Sequence, residues 1–380
     1  MAPTRAGRGL ALLTIVLAGC LPAACSLASG SPGEARDSVQ PRGSGEARGS
    51  GAGGGSASAP TRPVTLAFGG DIHFADYLAP LATNPAGLTA LRPLWGDADL
   101  RMANLETAIT EQTTPFPKAF NFKAPASALE TLAGGGLSVL TQANNHAADY
   151  GAAGLTETLA ARAKSPVPIV GIGGDEKDAF APRVLDVAGL KVAVLGATQV
   201  AEETLANFSA GPAKPGVASS MPTNRIVAAV TAVRDQVDVV VVYLHWGIDY
   251  QECPDQRSTA TAADLEKAGA DVIVGAHSHR VGGAGWLGRA YVDYGLGNFV
   301  WWRSAEPDSR TGILTVTVDP VAAKAARPGA RTASVVSGAS WGPLLIGRDG
   351  IPAEPPPADR ERLHALWEQA SACSGLQPTR

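Results

Sequence analysis

The sequence predicts a layered α/β domain built around a mixed β-sheet. From about residue 63 onward, apolar β-branched runs of strand length alternate with segments of helical periodicity. Runs without polar alternation are typical of strands buried on both faces. In "RVLDVAGLKVAVLGAT" two such runs are separated only by Ala188 and Gly189, which predicts an antiparallel hairpin and therefore a mixed sheet flanked by helices.

The predicted elements follow one another through the domain, which we place at residues 63–350. The strand-like runs, in chain order, are PVTLAFGG, ADLRMANLE, LSVLTQANN, VPIVGIGG, KVAVLGAT, VDVVVVYLHWG and ADVIVGAHSH. Helical patterns are found in TNRIVAAVTAVRDQV and in STATAADLEKAG, where we expect Ser/Thr caps at the start and Gly269 at the end. Residues 351–380 are expected to form a Pro-rich linker and a C-terminal helix packed on the domain.

The N-terminus has the pattern of an export signal. Two arginines precede an apolar run, Leu10 to Leu17, that is too short to remain as a transmembrane helix. The run ends in Leu-Ala-Gly-Cys20, which resembles a bacterial lipobox, so we expect residues 1–19 to be a signal peptide and Cys20 to carry lipid. An ordinary secretory signal is the alternative. In either case the domain is extracytoplasmic, and with lipid it is anchored to the cell membrane.

Residues 20–62 have the composition of a flexible linker. They are rich in Gly, Ser and Pro and nearly free of large apolar side chains, so they cannot offset the entropy cost of ordering. The whole chain has a formal net charge of only -4 and no basic block, which gives no support for a nucleic-acid partner.

Polar side chains follow the carboxyl ends of five predicted strands. In folds of this class, ligands bind beyond those ends. The strand exits hold five of the six histidines in the chain, together with acidic and amide residues: Asp71 and His73, Asn104 and Glu106, Asn145 and His146, His245, and His277 and His279.

This set predicts a metal site. Residues two apart in an extended chain point the same way, so Asp71 with His73, and His277 with His279, each present two ligands toward one point. Imidazole, carboxylate and amide oxygen suit Zn, Fe, Mn or Mg, and the number of groups suits two adjacent divalent ions. Any one of these histidines alone is better explained as a hydrogen-bonded structural residue, but five converging strand ends are not.

Two cysteines remain beyond the signal region. In an oxidising compartment Cys253 and Cys373 are expected to form a disulfide that ties the last helix to a loop beside the histidines. Two free thiols are the alternative.

The same residues resemble a known family, the CapA (PgsA) capsule-synthesis proteins, whose domain is similar to a calcineurin-type metallophosphoesterase. The matching segments, from Val64 to Trp302, are FGGDIH, ANLE, ANNHAADYG, LHWGIDYQ, GADVIVGAHSHR and YGLGNFVW. The resemblance implies a metallophosphoesterase-like fold and a part in the biosynthesis or export of poly-γ-glutamate or a related capsular polymer, beside capsule-synthesis membrane proteins.

The resemblance also implies roles for individual residues. It assigns Asp71, His73 and His279 to a first metal and Asn145, His245 and His277 to a second. His146 matches the position that protonates the leaving oxygen in related phosphatases, a role that suits imidazole. The bridging ligand departs from that pattern, since Glu106 stands where the phosphatases have an aspartate.

Two functions from different classes are compatible with these features. One is a metal-dependent hydrolase or transferase acting on a phosphoester or amide bond of a cell-envelope polymer. The other is a non-catalytic assembly factor of a capsule machine, with a structural or vestigial metal site.

Neighbouring residues have more than one interpretation. Asp149 and Tyr150 could orient the site or cap the next helix, and we favour capping. Asp249 could fix an imidazole or be a solvated loop charge. Trp301 and Trp302 are best explained by core packing, with an aromatic shelf for a polymer as the alternative.

Overall fold

The computed structural model describes residues 62–325 and 333–380. The predicted signal peptide, Cys20 and the predicted linker up to residue 61 lie outside the described residues. Within the described ranges, no helix is both long and apolar enough to cross a bilayer.

Helices α1 to α8 are Ala128–Gly134, Gly151–Arg162, Glu176–Ala179, Glu203–Phe208, Asn224–Arg234, Gln256–Ala268, Pro320–Ala325 and Pro357–Cys373, and two 3-10 helices are Asp76–Thr83 and Thr89–Trp95. Strands β1 to β18 are Val64–Ile72, Leu100–Leu105, Ala108–Ile109, Lys123–Ala124, Val139–Thr141, Ile169–Val170, Ile172–Gly173, Arg183–Val187, Leu190–Thr198, Gly216–Val217, Val239–Trp246, Val272–His277, Ala284–Leu287, Ala290–Asp293, Asn298–Val300, Arg310–Val318, Val336–Ile346 and Pro352–Ala353.

In the described part of the chain, two large mixed sheets carry the fold. The first has the strand order β18-β17-β16-β1-β2-β5-β6, with β15 also paired to β1, and the second has the order β13-β14-β12-β11-β9-β8. Strands β1, β2, β5 and β6 are parallel to one another, as are β9, β11, β12 and β14. Antiparallel strands flank both parallel sets, so the predicted mixed α/β architecture is confirmed.

The core shows that the two sheets face each other between helical layers. One buried cluster joins Leu66 and Met102 of the first sheet to Val241 and Val274 of the second. Side chains alternate along a strand, so Val240 points to the opposite face, into the cluster with the residues of α5 and α6. The outer face of the first sheet packs against α1, α2 and the 3-10 helices. The result is a four-layer α/β/β/α arrangement.

Local sequence explains the elements that position the site. Strand β11, VVVVYLHW, is buried along its whole length, as its β-branched run predicted. The predicted hairpin of β8 and β9 is confirmed, and Ala188 and Gly189 both have the positive φ of a type I′ turn. Helix α6 ends at the left-handed Gly269 as predicted, but the expected Ser/Thr cap is wrong, because Asp255 caps the helix by accepting from Ser258 N.

Candidate metal centre

The carboxyl ends of β1, β2, β5, β11 and β12 bring the predicted site residues together. Asp71 and Asn104 are register partners on adjacent parallel strands, and Asn104 Nδ2 donates to Asp71 Oδ1 at 2.8 Å. Gly70 permits this arrangement, since a Cβ there would lie 1.9 Å from Gly297 O. The segment between β14 and β15 thus approaches β1 at the site itself.

Two groups of side chains have the geometry of metal ligands. Glu106, His245 and His277 offer ligand atoms within 4.8 Å of one another, and Asp71, Glu106 and His279 form a second group with the same spacing. Glu106 belongs to both groups, and its Oε1 is 3.3 Å from His245 Nε2. In the second group, His279 Nδ1 lies 3.4 Å from Asp71 Oδ2. A shared carboxylate between two ligand groups is the arrangement expected of a dinuclear site.

The electrostatics of Glu106 favour a proton or a cation beside it. Its side chain is fully buried, and neither carboxylate oxygen has a hydrogen-bond partner among the described residues. Burial, and next the charge of Asp71, raise the pKa of Glu106 well above its usual value. A buried acid without donors is costly unless a proton or a cation neutralises it. These residues therefore fit divalent metal ions.

His277, the last residue of β12, and His279, two residues beyond it, have unfavourable backbone conformations. His277 has a φ of 100° and His279 has a φ of 54°, and residues other than glycine rarely adopt such positive φ angles. Such conformations persist where the surrounding structure enforces them, and they concentrate at functional sites. Here the His277 imidazole lies near Glu106, and the His279 imidazole lies near Asp71 and Glu106.

Asn145 lies beside the first ligand group. Its Oδ1 is 2.8 Å from His245 Nε2, and its Nδ2 donates to Glu202 Oε2 at 2.8 Å. The Asn145 carbonyl accepts from Lys118 Nζ at 2.6 Å and from Thr204 Oγ1. The amide oxygen therefore points toward His245, as a ligand would.

His146 is oriented by a buried acid and base. Its Nδ1 is 2.6 Å from Asp149 Oδ2, and its Nε2 is 3.9 Å from Glu106 Oε1. Lys118 Nζ donates to Asp149 Oδ1 at 2.9 Å. Burial raises the pKa of Asp149 to about 7 against the opposing effect of Lys118, whereas burial and then Lys118 lower the pKa of His146 well below its usual value.

The favoured capping role of Asp149 and Tyr150 is wrong. Tyr150 precedes α2 without any side-chain capping bond, and Asp149 instead bonds His146, Lys118 and the backbone N–H of Phe122. The orienting alternative describes Asp149.

His73 lies outside both ligand groups. Its Nδ1 accepts from Ala75 N at 3.0 Å, which leaves the proton on Nε2, and that buried Nε2 has no partner in the described residues. The ring stacks on Phe122 at a centroid distance of 4.5 Å and meets Trp301 edge-on at 4.1 Å. The same arrangement is found at His245, whose Nδ1 lies 3.1 Å from Asn104 Nδ2, so it excludes neither imidazole and a metal role for His73 stays a prediction.

A cavity of about 320 Å³ opens over the cluster. It is lined by His146, His277 and His279, with Trp301 and Trp302 among the aromatic residues at its wall. Trp301 is also buried in the core, as the packing interpretation predicted, whereas contact with a polymer stays a prediction. Asp249 Oδ1 lies 3.3 Å from His277 Nε2, which places this loop acid at the site.

The structure joins Cys253 and Cys373 in a disulfide. Cys253 lies in the loop after β11, and Cys373 is the last residue of α8. The bond therefore ties the C-terminal helix to the segment that carries Asp249.

Lys118 and Glu202 were missed by sequence reasoning. Lys118 lies in the segment between β3 and β4, which has no periodic pattern. Glu202 could have been found, because it lies four residues beyond the carboxyl end of β9, a strand parallel to β11. The strand-end rule covers Glu202 but not Lys118.

The fold and the site define an α/β/β/α protein with a candidate metal centre at its strand ends. The chain belongs to the family of bacterial capsule synthesis proteins described as PGA_cap, whose model matches residues 65–301, more than half of the chain.

Curated relatives carry related descriptions. The "PGA biosynthesis protein CapA" of Bacillus subtilis (strain 168) is 31% identical over 245 residues, which are 63% of this chain and 63% of that protein. The "Capsule biosynthesis protein CapA" of Bacillus anthracis is 33% identical over 214 residues, 52% of this chain and 51% of that protein. The matched region thus spans between half and two thirds of these relatives. Among solved structures, a 5'-nucleotidase from Candida albicans SC5314 is similar, with a TM-score of 0.41 and 11% sequence identity. The match covers 83% of this chain and 60% of that chain.

Proposed function

We propose that this chain is an exported, lipid-anchored component of capsule or poly-γ-glutamate assembly that binds two divalent metal ions and cleaves or transfers a phosphoester or amide bond of a cell-envelope polymer. Family membership supports the cellular role, since the relatives from both Bacillus species are described by capsule or PGA biosynthesis. The chemistry is supported by one observation above all, the sharing of Glu106 between two ligand groups.

The metal ligands in this proposal are a subset of those expected from sequence. Asp71, Glu106 and His279 would hold one ion, and Glu106, His245 and His277 would hold the other, with Asn145 beside the second group. Two divalent ions bound there would polarise the scissile group and stabilise the charge on the attacking and leaving oxygens.

His146 would move the proton. Ionised Asp149, favoured by the ammonium of Lys118, accepts from His146 Nδ1 and leaves Nε2 facing the cavity. From that position Nε2 can exchange a proton with the attacking water or with the leaving oxygen. The aromatic wall of Trp301 and Trp302 limits the access of bulk water on one side.

His146→Ala tests this role on the purified full-length chain. We expect it to retain metal by elemental analysis and to lose about 10²- to 10⁴-fold in kcat on a panel of phosphomonoesters, phosphodiesters and γ-glutamyl anilides. His364→Ala, a histidine on α8 that packs against Trp341, is the matched control and should keep its activity. Absence of bound metal, together with unchanged polymer output from an Asp71→Ala/His277→Ala double variant in cells, would contradict the enzymatic proposal.

A non-catalytic assembly factor is the second candidate. The position of His73 favours it, because this residue, a ligand in the metallophosphoesterase pattern, lies in neither ligand group. In that case the double variant should change the recovery of partner membrane proteins, and no member of the substrate panel should be turned over.

Membrane anchoring has a separate test. Cys20→Ser should move the protein from the membrane fraction to the soluble extracytoplasmic fraction and abolish labelling by an alkyne fatty acid. Retention in the membrane would contradict lipidation at Cys20.

A further inference from the structure

The amide of Asn145 needs a partner that fixes which of its two atoms faces the histidines. The oxygen of an asparagine side chain can ligate a metal, but its NH2 group cannot. The two ends of the amide have nearly the same shape, so packing alone does not distinguish them. Hydrogen bonding must therefore select the orientation.

Glu202 supplies that selection. Its carboxylate oxygen accepts from Asn145 Nδ2 at 2.8 Å, and an ionised carboxylate has no donor to offer to an amide oxygen. The reversed amide would place Oδ1 against the Glu202 oxygen, two acceptors in contact. It would also turn NH2 toward His245 Nε2, where Oδ1 now lies at 2.8 Å.

The backbone around Asn145 is held from the same side. Thr204, two residues after Glu202, donates to the Asn145 carbonyl, and Lys118 donates to that carbonyl at 2.6 Å. Thr204 and Asn145 are both buried. Glu202, the N-cap residue of α4, and Thr204 in its first turn therefore hold both the side chain and the backbone of Asn145.

We infer that Glu202 is a positioning residue for the metal centre, which acts by holding the Asn145 amide with its oxygen toward the metal. This inference rests on the proposed function, because it requires that the cluster bind metal. Hydrogen-bond partners of metal ligands typically change metal affinity by about 10- to 100-fold when they are removed.

Calorimetric titration of the chelator-treated full-length chain with Mn²⁺ tests the inference without an activity assay. Glu202→Ala should weaken Mn²⁺ binding by about 10- to 100-fold. Glu202→Gln can still present an oxygen to Asn145 Nδ2 and should recover most of that loss. Glu203→Ala is the matched control: it removes the same charge one residue away, and among the described residues its carboxylate has no hydrogen bond or ion pair. Its affinity should equal that of the unaltered chain.

A second background separates orientation from general structural support. In Asn145→Asp the two side-chain oxygens are equivalent, so no partner is needed to select between them, and the Glu202 carboxylate now faces a like charge. Adding Glu202→Ala to Asn145→Asp should therefore leave Mn²⁺ affinity unchanged or raise it. Thermal unfolding without metal should give Glu202→Ala a melting temperature close to that of the unaltered chain.

Each contrary outcome has one meaning. An equal loss of affinity from Glu202→Ala in both backgrounds, or an equal loss from Glu203→Ala, would overturn the positioning role while leaving the metal site in place. Full affinity in Glu202→Ala would do the same. An unaltered chain that binds no Mn²⁺ would overturn the metal-site proposal and this inference together.

Discussion

A buried acidic side chain lies beside each end of β12, and the two acids differ in their hydrogen bonding. At its amino end, Asp271 accepts from Arg234 and from the backbone N–H of Val240, and Arg234 also donates to the carbonyls of Val237 and Gly269. At the carboxyl end, beside His277, Glu106 is buried with no donor to either oxygen among the described residues. The first charge is balanced by the chain itself, whereas the second is neutralised only by a proton or by a bound cation. A structural ion pair and a candidate binding site are thus distinguished by hydrogen bonding rather than by burial.

Breaking the balanced end should have the largest effect. Asp271→Ala leaves the Arg234 guanidinium buried without its acid, so we expect the free energy of unfolding to fall by about 3–5 kcal/mol in urea titrations. Mn²⁺ affinity of the folded fraction should stay unchanged, because the pair lies at the far end of the strand. A stability loss below 1 kcal/mol would mean that the two ends do not differ as described.

The unbalanced end should behave in the opposite way. Glu106→Gln removes a buried carboxyl group whose ionised form has no donors, so the metal-free protein should be at least as stable as the unaltered chain. Saturating Mn²⁺, at about 100 times its dissociation constant, should stabilise the unaltered chain by about 2.7 kcal/mol. That gain should vanish in Glu106→Gln, as followed by thermal unfolding with and without Mn²⁺. Lower stability of metal-free Glu106→Gln would indicate a structural role for the carboxylate.

Asp293 sharpens the comparison, because it is an unbalanced acid outside both ligand groups. It ends β14, is fully buried, accepts from Gly295 N, and has no partner for Oδ2 in the described ranges. Burial raises the pKa of Asp293 well above its usual value. Protonated Asp293 therefore stabilises the fold fully at pH values below the unfolded pKa, and this contribution is lost as the pH rises through the raised folded pKa.

Asp293→Asn should remove that pH dependence. At low pH the variant and the unaltered chain should have similar free energies of unfolding, and at pH 9 the variant should be more stable, by on the order of 1 kcal/mol. Urea titrations at several pH values measure the difference. A constant difference across the pH range would show that Asp293 has the same protonation state in the folded and unfolded chain.

Much of the architecture could be predicted from local sequence. The run VVVVYLHW predicted a strand buried on both faces, and Ala188-Gly189 predicted the hairpin that makes the second sheet mixed. The strand-end rule also gathered Asp71, Glu106 and the histidines of β11 and β12, because the carboxyl ends of parallel strands meet at one edge.

The same rule could not divide these residues by role. His73 has a ligand's spacing from Asp71, yet its Nδ1 is taken by the backbone N–H of Ala75. Asp149 lies two residues before α2, a position that suits a helix cap, but a hydrogen bond to the His146 imidazole holds it at the site. Sequence spacing predicts which side chains can lie close together, but it does not predict which of their atoms are already used in hydrogen bonds.

What the sequence determined by itself is the set of elements and the chemistry placed at their ends, since both follow from the periodicity of neighbouring residues and from residue type. Only the tertiary structure decided that Glu106 is shared between two ligand groups and that Lys118 and Glu202 support the site. Those relations join segments that are far apart in the chain and belong to two different sheets. Their distances depend on how the sheets pack face to face, which no local pattern specifies.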